Sequence, residues 1–140
     1  MSRKLPSQPI KKVTWEEFDV AAKNLAWQIQ RYIKNKRGGK KFAGIYEIPR
    51  GGYCLGVKLS YLLEIPLTHI YHNEDILIVD EIADEGHTLW FYTKNNFATV
   101  KTAVWHNRVN TKTEKYGIRE PDFFVEEIST TTWYCYPWEE

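Results

Sequence analysis

From Phe42 onward, short apolar runs alternate with segments of helical period, and no other feature constrains the fold of this chain as strongly. The runs read as strands at Phe42–Ile48, Leu67–Tyr71, Ile76–Val79 and Val100–Trp105, with helices from about Cys54 to Leu63 and near Thr88–Lys94. Parallel neighbours need a crossover, most often a helix, so this order specifies an α/β chain with a mainly parallel central sheet flanked by helices. A polar loop through Glu120 and a C-terminal segment with Phe123, Phe124, Val125, Trp133 and Trp138 complete the pattern. A chain of 140 residues can bury one adequate core, which gives a single domain over 13–140 behind an N-terminal arm of residues 1–12.

The arm is polar and contains proline. Thr14 and Glu17 then form a capping box, so a helix is expected to start at Trp15. Its apolar residues Trp15, Phe18, Ala22, Leu25, Ile29 and Tyr32 recur three and four apart and fall on one buried stripe. The run Lys34–Lys41, with Gly38 and Gly39, ends the helix as a solvated turn. With 43% hydrophobic and 26% charged residues and a net charge of +1, the composition is that of a soluble globular protein and argues against a dominant polyanion-binding surface. No apolar run approaches the roughly 20 residues that cross a bilayer, and residues 1–12 lack the apolar centre of a signal peptide. No membrane or nucleic-acid partner is therefore expected, and the default address is cytoplasmic. Cys54 and Cys135 make no CxxC pair, and His69, His72, His87 and His106 show no zinc spacing.

The segment Ile76–Thr88 carries the chemistry. Four consecutive apolar residues, Ile76 to Val79, suit a strand buried on both faces, and Asp80 and Glu81 follow where open α/β sheets place their ligands. Asp84-Glu85-Gly86-His87-Thr88 then turns into a helix, whose first N–H groups can hold a phosphate. An acidic pair that binds a diol, beside such a cradle, describes a ribose-5-phosphate site. At the end of the preceding strand, Arg50-Gly51-Gly52 offers a second anion-binding turn, with Arg50 supplying charge.

The first of these segments resembles the signature of type I phosphoribosyltransferases, which is four apolar residues, two acids, two apolar residues, then Asp-Thr-Gly-x-Thr. Arg50-Gly51-Gly52 resembles the pyrophosphate loop of the same family. The tail from Ser129 to Glu139 resembles the base-binding segment of bacterial xanthine-guanine phosphoribosyltransferases, which ends in a Trp, a few residues, then Pro-Trp-acid. The resemblance spans about Phe42 to Glu139 and implies the type I phosphoribosyltransferase fold with a small C-terminal base-binding hood. It further implies that Asp80 and Glu81 contact the ribose hydroxyls, directly or through Mg2+ held directly or by way of water. Glu85, Gly86, His87 and Thr88 would line the 5-phosphate loop, and Asp84 would be the acid near N7 of a purine. Trp133 would stack on the base, Tyr134 would offer backbone contacts, and Glu139 would accept a hydrogen bond from the base edge. By analogy with the family, a homo-oligomer is one option.

Three departures qualify the match. Glu85 stands where the family usually has Thr; a carboxylate about 5 Å from a phosphate costs on the order of 3 kcal/mol per unit charge at an effective dielectric near 20. Only His72–Asp75 separate the strand ending near Tyr71 from the motif strand, where the family usually carries a long loop. The lysine that purine enzymes direct at the 6-oxo group is missing from Trp105-His106-Asn107-Arg108-Val109, leaving Arg108, or second to it Asn107, for that task. The leading expectation is transfer of a 5-phosphoribosyl group from phosphoribosyl pyrophosphate to guanine, xanthine or hypoxanthine, with Mg2+ as cofactor. The alternative is a catalytically degenerate protein of the same fold that binds a nucleotide or phosphoribosyl ligand and regulates RNA or a partner through Lys34–Lys41.

Overall fold

The computed structural model describes residues 7–71, 75–95, 99–108, 118–129 and 131–140. Four parallel strands, β2 (Gly44–Glu47), β3 (Ile76–Ala83), β4 (Lys101–Arg108) and β5 (Phe123–Ile128), form the central sheet in that spatial order. Helices α1 (Trp15–Lys36), α2 (Tyr53–Leu63) and α3 (His87–Thr93) flank it. Strands β1 (Ile10–Lys12) and β6 (Trp133–Cys135) make a separate two-stranded parallel ribbon, and a 3-10 turn follows at Pro137–Glu139.

Period-two alternation divides the core. Leu77 and Val79 of β3, with Ala103 and Trp105 of β4, face α1 and α2 in one buried cluster. Ile76 and Ile78, with Val104, face the opposite way and pack with Leu89 of α3. A strand covered on both faces must be apolar at every position, which is why Ile76–Val79 carries no polar residue.

The capping box forms as read: Thr14 Oγ1 accepts from Glu17 N at 3.1 Å, and Glu17 Oε1 accepts from Thr14 N at 3.2 Å. The buried stripe of α1 is Phe18, Ala21, Ala22, Leu25, Ala26, Ile29 and Ile33. Trp15 is the exception to the expected stripe. It is 52% exposed and lies edge-on to Phe18 and beside Trp138. The turn after α1 uses Gly38 and Gly39 in left-handed conformations, as expected, but Arg37 is not solvated. It pairs with Asp75, donates to the carbonyls of Lys40 and Lys41, and lies over the Phe42 ring.

Two expectations are corrected, one for Leu67–Tyr71 and one for the end of β3. Leu67–Tyr71 is not a strand. Among the described residues one parallel bridge, Ile45 to Leu67, is all that forms, with Ile45 N donating to Pro66 O and Thr68 N to Ile45 O. The end of the N-terminal arm is ordered as β1, which is exposed throughout but satisfied by backbone pairing with β6. Finally, β3 does not stop before its acids: the ladder with β4 continues through Ile82–His106 and Ala83–Asn107, so Asp80 and Glu81 sit inside the strand. Residues 72–74 of the short connection and 109–117 of the expected polar loop lie outside the described residues.

Candidate functional site

The carboxyl ends of β2, β3 and β4 converge with the tail on a cavity of about 370 Å3. Open parallel sheets bind ligands at this end because the strands stop there and their loops diverge. Ten of the polar or aromatic residues expected in the site line its wall: Asp80, Glu81, Asp84, Glu85, His87, Thr88, Arg108, Trp133, Tyr134 and Glu139. Gly51 and Gly86 line it as well. Arg50 and Gly52 do not; Arg50 is exposed beside the loop, and Gly52 is buried at the start of α2. Asn107 also stays off the wall, its Nδ2 donating to Glu120 at 3.2 Å.

The Arg-Gly-Gly loop owes its glycines to close approach and not to left-handed backbone, since neither Gly51 nor Gly52 has a positive φ. A Cβ on Gly51 would lie 1.3 Å from Glu81 Oε2, so the carboxylate of Glu81 rests directly on the loop. A Cβ on Gly52 would meet main chain instead, 2.5 Å from Val79 O and 2.8 Å from Ile48 O. The Pro49–Arg50 peptide is cis. By contrast Gly86, φ 85°, needs its freedom to turn the chain from β3 into α3.

Asp80 is buried, accepts from Glu81 N at 2.9 Å, and has its pKa pushed well above the usual range, first by burial and then by the charge of Glu81. Burial raises Glu81 too, and its Oε2 is buried without a hydrogen-bond partner. An acidic pair held this way is poised to accept a cation. Asp84 is held differently. Its Oδ1 takes the Nε–H of Arg108 at 2.7 Å, and the buried guanidinium also donates to Ser129 O. Glu85 points outward, 56% exposed, with Oε2 3.5 Å from His87 Nδ1.

In the tail, Glu139 accepts from Tyr136 N at 2.7 Å and so closes the 3-10 turn. Trp138 stacks on Tyr136 and meets Phe18 edge-on, the packing role expected of it. Two residues given no site role by the sequence enter here. Tyr136 lines the cavity, and its hydroxyl is 2.8 Å from Nδ1 of the fully buried His106. Burial, assisted by Arg108, lowers His106 to about 3, so the ring is neutral; burial and the neighbouring acids push Tyr136 far upward. An aromatic tail with a lone histidine elsewhere carried no signal that the two would meet.

Among the described residues no group of three or more His, Cys, Asp and Glu side chains could enclose a metal ion. The adjacent carboxylates of Asp80 and Glu81, one with an orphaned buried oxygen, nevertheless fit Mg2+, which is commonly held by one or two carboxylates and completed by substrate oxygens.

A four-stranded parallel sheet, acids and glycine loops at its carboxyl edge and a hood built from the tail together define the type I phosphoribosyltransferase fold. Known structures bear this out. A purine phosphoribosyltransferase from Pyrococcus horikoshii matches with a TM-score of 0.72 over 94% of this chain and 95% of its own, at 24% identity. A hypothetical protein from Neisseria gonorrhoeae with bound ppGpp also gives 0.72, over 97% and 92%, at 21% identity. Xanthine-guanine-hypoxanthine phosphoribosyltransferase of Helicobacter pylori gives 0.65 over 93% of each chain, at 20% identity. No protein-family model matches the sequence.

Proposed function

We propose that this chain transfers the 5-phosphoribosyl group of phosphoribosyl pyrophosphate to a 6-oxopurine, yielding a nucleoside monophosphate and pyrophosphate. The observation that carries this reading is that one cavity gathers residues from the glycine loop, the acidic strand and the aromatic tail, three segments far apart in sequence. The purine phosphoribosyltransferases among the similar structures support it.

In this reading the C1–O bond breaks with its electron pair leaving on pyrophosphate, N9 of the base bonds to C1, and the N7 proton passes to Asp84. Arg108 orients the Asp84 carboxylate for that proton through its 2.7 Å contact. The negative charge of the acidic pair favours the cationic ribosyl centre, and the walls of the cavity hold both reactants in register. Bound at Asp80 and Glu81, Mg2+ would supply positive charge for the pyrophosphate oxygens. Trp133 and Tyr134 frame the base, and Glu85–Thr88 frame the 5-phosphate.

The test is nucleotide formation from phosphoribosyl pyrophosphate with guanine, xanthine and hypoxanthine in turn, with Mg2+, for wild type and Asp84→Asn. Product that falls at least about 100-fold in the variant supports the reading. Absence of product from every base, despite calorimetric binding of phosphoribosyl pyrophosphate or a nucleotide, removes the enzyme and leaves a binding protein.

A further inference from the structure

The tail that carries Trp133, Tyr134 and Glu139 is not part of the central sheet. Among the described residues its strand β6 pairs only with β1, and β1 is itself exposed at all three positions. A backbone bond from Val13 N to Cys135 O at 2.9 Å ties the ribbon to the start of α1. Stacking of Trp138 on Tyr136 and its edge contact with Phe18 add apolar cohesion between the tail and α1.

Tyr136 supplies direction. Its ring is 3% exposed and wedged against Trp105, while its hydroxyl lies 2.8 Å from His106 Nδ1 on β4 and 3.5 Å from the carbonyl oxygen of Glu81 on β3. The outer nitrogen of His106, Nε2, is buried and makes no hydrogen bond, with the carboxylate of Glu126 on β5 3.4 Å away. That negative charge favours a proton on Nε2, which leaves the Nδ1 lone pair to accept from the tyrosine hydroxyl. The contact is shielded from water at both ends, where a directional bond is strongest and its loss is not compensated by solvent.

We infer that Tyr136, anchored by His106, is a positioning residue that fixes the gap between the base-side tail (Trp133, Tyr134, Glu139) and the ribose-side acids of β3 (Asp80, Glu81). The inference rests on the phosphoribosyl transfer reading for its functional half. Recognition of the base depends on this bond, and recognition of the phosphoribosyl group, which the loops after β2 and β3 frame, does not.

Tyr136→Phe keeps the ring and deletes only the hydroxyl. Steady-state kinetics on this variant are expected to show the KM for the base raised about five- to tenfold, with the KM for phosphoribosyl pyrophosphate within about twofold of wild type. Hydrogen exchange is expected to speed up at the amides of residues 133–136, 138 and 139 and to stay unchanged in β3. His106→Phe is expected to give the same split, and the double variant to be no worse than either single one, because both remove one bond. Two KM values rising together, additive losses in the double variant, or unaltered exchange in the tail would each overturn the inference. A wild-type protein that forms no nucleotide would instead sink the transferase reading, and the exchange comparison would still decide the anchoring.

Discussion

Glu85 adds a fifth carboxylate to a cavity that already holds Asp80, Glu81, Asp84 and Glu139, beside the turn expected to frame a phosphate. Its contact with His87 Nδ1 and its exposure weaken that conflict without removing it. Glu85→Thr is accordingly expected to tighten phosphoribosyl pyrophosphate about tenfold in calorimetry, most at low salt, where charge is least screened. Unchanged affinity would show that the carboxylate never faces the phosphate. At this scale the sequence was most legible where residue types cluster in one contiguous run, as with Asp80, Glu81 and the Asp84–Thr88 turn, all of which reach the cavity. It was least legible where a role comes from contact across the fold. Nothing local distinguishes Tyr136 from its aromatic neighbours, or announces that Arg108 is fastened to Asp84.

Among the elements, the loop between β2 and α2 shows how two adjacent glycines serve separate ends. Gly51→Ala pushes on the far end of a flexible side chain, Glu81, whereas Gly52→Ala pushes on the carbonyls of Val79 and Ile48. The first variant is expected to melt within a few degrees of wild type yet bind phosphoribosyl pyrophosphate at least about tenfold more weakly. The second is expected to lose about 2–3 kcal/mol of stability in urea denaturation. Equal melting losses in the two would contradict the assignment. Helices were readable because periodicity and a capping box are local signals, and α1 begins at Trp15 as read. The strands were less so. Charge at Asp80 and Glu81 signals an end, but the neighbouring strand carries the ladder past them, and Leu67–Tyr71 has strand composition with only one bridge to support it.

For the molecule as a whole, the buried titratable groups pull stability in opposite directions with pH. Asp80 has a folded pKa above its ordinary 3.8, so below that value it is protonated in both states and costs nothing. As pH rises past it, the unfolded chain ionises more readily than the native one and stability is lost. His106 has the reverse sign: the unfolded ring takes a proton near 6.5, the native ring only near 3, so stability is lost as pH falls between those values. Asp80→Asn is therefore expected to raise stability at pH 7 by about 1 kcal/mol or more, with the gain fading toward pH 4. Thermal melts across that range check it, and a variant less stable than wild type at neutral pH would refute it. The alternation of strands and helices made the sheet legible, since crossovers leave few alternatives. The ribbon of β1 and β6 was not, because pairing between distant segments leaves no local trace.

That ribbon also sets an order of events during synthesis. Ile10 leaves the ribosome well before its partner Trp133, so β1 waits without its mate while the sheet closes behind it. Loop closure over such a span is entropically costly and comes late. The wall made by Trp133, Tyr134, Tyr136 and Glu139 thus rises after the sheet, and a nascent chain that has already buried its sheet still lacks that side of its pocket.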